Sequence, residues 1–123
     1  MDKAKSVLII DDDNRNIFAL RLALKSRGYL VVSANSAEEG IAMLGDGRAI
    51  AVVLMDMMMP DMDGYQAIAA IRSSALYGHT PVIAVTAQAM QGDREKCMEA
   101  GASDYIPKPI DLDRLLQVIE EVS

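Results

Sequence analysis

Val52-Val53-Leu54-Met55-Asp56-Met57-Met58-Met59-Pro60-Asp61-Met62-Asp63-Gly64 carries an apolar run straight into one carboxylate, Asp56, and then into a turn. An uninterrupted apolar run bounded by polar residues reads as a strand buried on both faces. Met59-Pro60 and Asp63-Gly64 read as the loop that turns away from it. Asp56 is thereby expected at the carboxyl edge of a central strand, the edge where open α/β sheets bind ligands.

Outward from this strand, short apolar runs alternate with amphipathic segments. Val7 to Ile10 is the first strand, and it runs into Asp11-Asp12-Asp13. A helix from about Asn14 to Arg27 follows, closed by Gly28. Ile17, Leu20 and Leu24 should face the sheet, while Arg15, Phe18, Ala19 and Leu22 form a second face more apolar than solvent requires. Tyr29 to Ala34 is the second strand, and Ser36 with Glu39 is a capping box for a helix ending near Gly45. After the central strand, a helix from Gly64 or Tyr65 carries Ala67, Ile68 and Ile71. Val82 to Val85 is the fourth strand, ending at Thr86. A thin helix from Met90 to Ala100 follows, with little apolar surface and Gly92 within it, so its local stability is expected to be low. Tyr105-Ile106 is a brief fifth strand. Asp111 caps a last helix striped by Leu112, Leu115, Leu116, Ile119 and Val122. Five strands alternating with five helices call for a doubly wound α/β fold, a parallel sheet with helices on both faces.

The 123 residues are one domain's worth, with the core over residues 6–122. At 51% hydrophobic and 24% charged, the chain can bury a sizeable core. Its net charge of -6 argues against direct binding to nucleic acid, where Lys and Arg must neutralise phosphates. A single cysteine, Cys97, cannot form an internal disulfide, and a single histidine, His79, leaves no Cys/His cluster for zinc. No membrane span or signal peptide is read, and the expected setting is cytoplasmic. The methionines read mostly as core filler, except Met57, Met58 and Met59, which are expected to crowd the active edge.

If the first and third strands are neighbours, Asp11 and Asp12 share an edge with Asp56. At about 5 Å each pair of charges repels by roughly 1 kcal/mol in water-like surroundings and roughly 3 at an effective dielectric of about 20. The sum is on the order of 3 to 10 kcal/mol, against a typical domain stability of about 5 to 15. Solvated acids capping the following helix would be the bland reading. A hard divalent cation relieves the repulsion more economically, and Mg²⁺ suits a site with few protein ligands and an incoming phosphate. An EF-hand is excluded, since its glycine would fall on Asn16 or its closing Glu on Arg72. Thr86, with the Ala87 backbone N–H beside it, and Lys108 end two further strands. A carboxylate, a metal, a hydroxyl and an ammonium are together what an incoming phosphoryl group requires. The product would be an acyl phosphate on Asp56.

These segments resemble the receiver domain of two-component response regulators over Val7 to Val122. The resemblance rests on Ile10-Asp11-Asp12, Leu54-Met55-Asp56 with Met59-Pro60-Asp61-Met62-Asp63-Gly64, Thr86-Ala87, Gly101-Ala102 and Tyr105-Ile106-Pro107-Lys108-Pro109. It implies the flavodoxin-like strand order 2-1-3-4-5. It also implies a switch that takes a phosphoryl group from a histidine kinase or histidine phosphotransfer protein and changes the surface it shows to others. In such a domain Asp56 is the phosphoacceptor. Asp12, Asp56, Asp11 through water and the Met58 backbone oxygen are the ligands of Mg²⁺, with Mn²⁺ as a substitute. Lys108 pairs with a phosphoryl oxygen before a cis bond to Pro109, the backbone of Met57 and Ala87 contacts the phosphoryl group, and Thr86 and Tyr105 form the switch pair. Asp13 is left as a cap or a solvated acid.

Arg15, Phe18, Ala19 and Leu22 are the expected docking face for the donor. A downstream protein would read the face of the fourth helix, fifth strand and fifth helix. The resemblance further places Met58 and Gln88 beside the approach of hydrolytic water, and a slow loss of the phosphoryl group is expected. The domain assists its own phosphorylation and dephosphorylation without being an enzyme proper. Gln91-Gly92-Asp93-Arg94-Glu95-Lys96-Cys97 resembles receivers joined to hybrid kinases. Two other classes stand beside this reading: a receiver-like interaction module that is never phosphorylated, and an aspartyl-nucleophile phosphatase. The second commonly needs an acid two residues after the nucleophile, where this chain has Met58.

Overall fold

The computed structural model describes residues 5–60, 62–87 and 92–123. Strands β1 (Ser6–Ile10), β2 (Leu30–Ala34), β3 (Ile50–Asp56), β4 (Val82–Thr86) and β5 (Asp104–Pro107) alternate with five helices. These are α1 (Asn14–Ser26), α2 (Ala37–Leu44), α3 (Gly64–Arg72), α4 (Asp93–Ala100) and α5 (Leu112–Val122). The strands pair in parallel in the order β2-β1-β3-β4-β5, which is the doubly wound arrangement expected from the sequence.

Successive strand side chains point to opposite faces, so the apolar runs feed two cores. Leu8, Ile10, Val53, Met55, Val82 and Ala84 pack with Ala37, Leu44, Ala67, Ile68, Ile71 and Cys97 of α2, α3 and α4. Val7, Ile9, Val52, Leu54, Ile83, Val85 and Ile106 pack with Ile17, Leu24, Leu115, Val118 and Ile119 of α1 and α5. At about 1.5 to 3 kcal/mol for each fully buried Val, Leu or Ile, this packing is the main force holding the helices on the sheet.

The helix starts follow local capping chemistry. Asp13 accepts the Arg15 N–H at 2.9 Å, so the third acid of the triplet is the cap of α1. Ser36 accepts the Glu39 N–H at 3.1 Å, while the Glu39 carboxylate reaches the Asn35 N–H at 3.3 Å, one residue before the cap itself. Asp63 accepts the Gln66 N–H at 2.9 Å. Gly64 is required behind it: a Cβ there would stand 2.7 Å from the Met57 Cα and would also collide with the Met57 sulfur. Only a hydrogen lets α3 begin this close to the end of β3.

The second face of α1 is open to solvent, with Phe18 68% and Leu22 62% exposed and Arg15 and Ala19 exposed beside them. No neighbouring element buries it among the described residues. Helix α4 is thin, as its composition predicts. Gly92 precedes it with φ 102° and without a side-chain cap, and Cys97 is its one fully buried residue. It begins at Asp93; Met90 and Gln91, expected in its first turn, lie outside the described residues, as do Gln88 and Asp61.

Three departures from the sequence reading bear on the packing. Strand β3 starts two residues early, at Ile50, because Ser6 pairs with Ile50 across a register shift before Val7 meets Val52. Tyr29 precedes β2, buried with its hydroxyl on Glu120 at 2.9 Å. Of the three consecutive methionines, Met57 and Met59 turn into the core and only Met58 stands in solvent.

Candidate functional site

The register of the sheet assembles the site. Ile10 pairs with Met55, Asp56 with Val85, and Thr86 with Pro107. Asp11, Asp56, Thr86 and Lys108, each at or one step past the end of its strand, therefore converge on one edge. Asp11, Asp56 and Thr86 are each only 4% exposed, whereas Asp12 stands in solvent. One oxygen from each of Asp11, Asp12 and Asp56 lies within 4.8 Å of the others, the one metal-capable acidic group among the described residues.

Each carboxylate has a set geometry. Asp11 Oδ1 accepts the Asp13 N–H at 2.9 Å, and Asp56 Oδ1 accepts the Met58 N–H at 3.1 Å. The Lys108 ammonium lies 3.6 Å from Asp56 Oδ1. Lys108 is placed by its own backbone: its N–H bonds the Thr86 carbonyl at 2.7 Å, and a cis bond joins it to Pro109. Burial pushes the Asp11 carboxyl above the usual carboxylate range, and the charge of Asp56 pushes it further; the Asp13 N–H and Lys108 pull the other way. Two buried acids facing one lysine leave uncompensated negative charge beside the exposed Asp12. All the donors are hard oxygens, which fits a small divalent cation. A cleft of about 520 Å³ lined by Asp11, Asn16, Ala19, Leu20, Lys108, Pro109 and Ile110 opens next to this charge.

Other residues singled out in the sequence lie near the edge or away from it. Ala87 is exposed just beyond Thr86, and Met57 bonds the Val85 carbonyl through its N–H at 3.0 Å. Tyr105, opposite Ala84 in the register, packs half-buried on the core that includes α4. His79 is exposed, and Cys97 is buried with its thiol pushed up by desolvation. Arg72 was not singled out as functional. Its guanidinium bonds the Gly101 carbonyl at 2.9 Å, Gly78 at 3.0 Å and Thr80 at 2.6 Å, tying the end of α4 to α3 and the loop before β4. Nothing local in the sequence signals this, since an arginine in a last helical turn is ordinary. Among the described residues no helix is long and apolar enough to cross a membrane.

Comparison with known proteins agrees with this geometry. The chain matches the response regulator receiver domain family over residues 7–120. It is 32% identical to the polar-differentiation response regulator DivK of Brucella anthropi, covering 94% of each chain. It is 35% identical to hybrid signal transduction histidine kinase I of Dictyostelium discoideum over 94% of this chain but only 7% of that protein. Among solved structures, the receiver domain of sensor histidine kinase PA1611 from Pseudomonas aeruginosa, with a magnesium ion coordinated in its active-site cleft, superposes with a TM-score of 0.86. That pair shares 32% identity, with 96% of each chain covered. The parallel order, the acids at the ends of β1 and β3, the lysine after β5 and the match over nearly the whole chain have one common meaning: this chain belongs to the response regulator receiver domain family.

Proposed function

We propose that the chain is a phosphorylation switch that accepts a phosphoryl group on Asp56 from the phosphohistidine of a kinase or histidine phosphotransfer protein. The observation that carries this reading is the cluster of Asp11, Asp12 and Asp56 oxygens within 4.8 Å, with the Lys108 ammonium 3.6 Å from Asp56. Asp12, Asp56, the Met58 carbonyl and, through water, Asp11 would hold Mg²⁺, which when bound would neutralise charge on the phosphoryl oxygens.

The remaining work falls to the chain. The Met58 N–H fixes the Asp56 carboxylate, which attacks phosphorus; the P–N bond to the donor imidazole breaks, and the imidazole nitrogen keeps the electron pair. Lys108, Thr86 and the Ala87 N–H surround the transferred oxygens, so transfer is positioning plus charge compensation. The Met57 N–H, expected beside them from the sequence, is instead spent on the Val85 carbonyl at 3.0 Å. Movement of Thr86 toward the new group draws Tyr105 inward and biases α4 with β5 and α5, the face a downstream protein reads. The setting is cytoplasmic. Met58 at the position where aspartyl phosphatases commonly place a second acid argues against phosphatase turnover. The complete residue set argues against a module that is never phosphorylated.

The test is incubation with acetyl phosphate. The wild type should gain the mass of one phosphoryl group only when Mg²⁺ is present, and Asp56→Asn should gain none. Equal uptake by the variant, or uptake indifferent to metal, would refute the assignment.

A further inference from the structure

Among the methionines of the described residues, the one exposed is the one beside the acceptor carboxylate. Met55, Met57 and Met59 are buried, and Met43, Met62 and Met98 are half-buried, whereas Met58 is 58% exposed. Its backbone N–H holds Asp56 Oδ1 at 3.1 Å, so an exposed thioether is carried on the residue that fixes a carboxylate itself 4% exposed. Cys97, the usual first target of an oxidant, is fully buried, and burial holds it as the unreactive thiol. Among the sulfur side chains of the described residues, a diffusing peroxide therefore meets Met58 first.

We infer that Met58 is a site of reversible oxidation that sets how long Asp56 stays phosphorylated. The inference rests on the reading of Asp56 as phosphoacceptor. In the modifying step the thioether sulfur attacks one oxygen of hydrogen peroxide and the O–O bond breaks. Sulfur is oxidised by two electrons to the sulfoxide, the peroxide is reduced, and the second oxygen leaves as water after proton transfer. A thioether is a weak hydrogen-bond acceptor and holds a nearby water poorly. A sulfoxide has nearly the same shape but carries a strong acceptor oxygen, which can hold a water against the phosphoryl group instead of excluding it. Oxidation then speeds hydrolysis and shortens the signal. Methionine sulfoxide reductases reverse the change.

The experiment treats the phosphorylated chain, prepared with acetyl phosphate and Mg²⁺, with dilute hydrogen peroxide. It follows two readouts, the oxidised peptide by mass and the loss of the phosphoryl group. Oxidation should appear at Met58 before Met43, Met62 or Met98. Decay should become about two- to tenfold faster, the range that one hydrogen bond to water is worth. Reductase treatment should restore the original rate, and the decay of Met58→Leu should not respond to peroxide. Met58→Gln, which places an acceptor oxygen at the same point, should decay faster than Met58→Leu without peroxide. Earlier oxidation elsewhere, or complete oxidation of Met58 with unchanged or slower decay, overturns the inference. A chain that takes up no phosphoryl group before peroxide is added overturns instead the reading of Asp56 on which it rests.

Discussion

Replacing Asp11 by Asn should stabilise the metal-free protein while abolishing its stabilisation by Mg²⁺. With oxygens of Asp11, Asp12 and Asp56 within 4.8 Å of one another, each pair at that limit repels by roughly 0.9 kcal/mol in water and roughly 3.5 at an effective dielectric of about 20. Asp11→Asn removes two of the three repulsions. The one with exposed Asp12 is screened and lies near the lower figure, and the one with buried Asp56 lies higher. The substitution also forfeits the attraction of Asp11 to Lys108, and the amide oxygen can still accept the Asp13 N–H. The net gain should be about 1 to 3 kcal/mol, which is a shift of about 0.5 to 1.5 M in the urea midpoint for a slope of about 2 kcal/mol/M.

The sign with pH follows from Asp11 being held above its ordinary value in the folded state. The folded protein binds that proton more tightly than the unfolded chain, so the cost of ionised Asp11 is present at neutral pH. It is relieved as pH falls through the raised value toward 3.8. The advantage of the variant should close over that window. Mg²⁺ at about ten times its dissociation constant should add about 1.4 kcal/mol to the wild type and nothing to Asp11→Asn. A variant less stable than wild type without metal at neutral pH, or equally stabilised by Mg²⁺, would refute the electrostatic reasoning.

Three further outcomes are expected. Arg72→Met leaves the carbonyls of Gly78, Thr80 and Gly101 without their shared donor and should cost about 1 to 3 kcal/mol in urea unfolding; a change within error would show that water replaces the guanidinium. Leu22→Glu places a charge on the exposed face of α1 and should slow transfer from a protein donor by about tenfold or more while sparing acetyl phosphate. Equal loss with both donors would mean that the fold was damaged. Addition of beryllofluoride with Mg²⁺ should alter amide exchange in α4, whose uncapped start at Gly92 makes it easy to bias, more than in α2. A response confined to other elements would exclude this route.

The sheet was legible because its strands carry near-continuous apolar runs, and a strand buried on both faces admits little else. The site was legible for the same reason: Asp11, Asp56 and Thr86 are polar residues that terminate such runs, and Lys108 follows one. Contacts set by distant partners were not legible. Arg72 acts through three carbonyls supplied by the packing of α3 against α4, and Tyr29 through Glu120. In α5 the stripe of Leu115 and Ile119 was readable, but Val118 is fully buried while Leu112, Leu116 and Val122 are only partly so. The seating of the helix on the sheet decides that, not its periodicity. The three methionines after Asp56 differ in fate because the backbone turns there, which residue type does not reveal.

The central claim, that Asp56 receives the phosphoryl group of a histidine donor, is tested most directly by transfer from a radiolabelled histidine phosphotransfer protein. With Mg²⁺ present, label should leave the donor and appear on this chain, and peptide mapping should place it on Asp56. Asp56→Asn should leave the label on the donor. Label mapping to another residue, or passing to Asp56→Asn at the wild-type rate, would contradict the account.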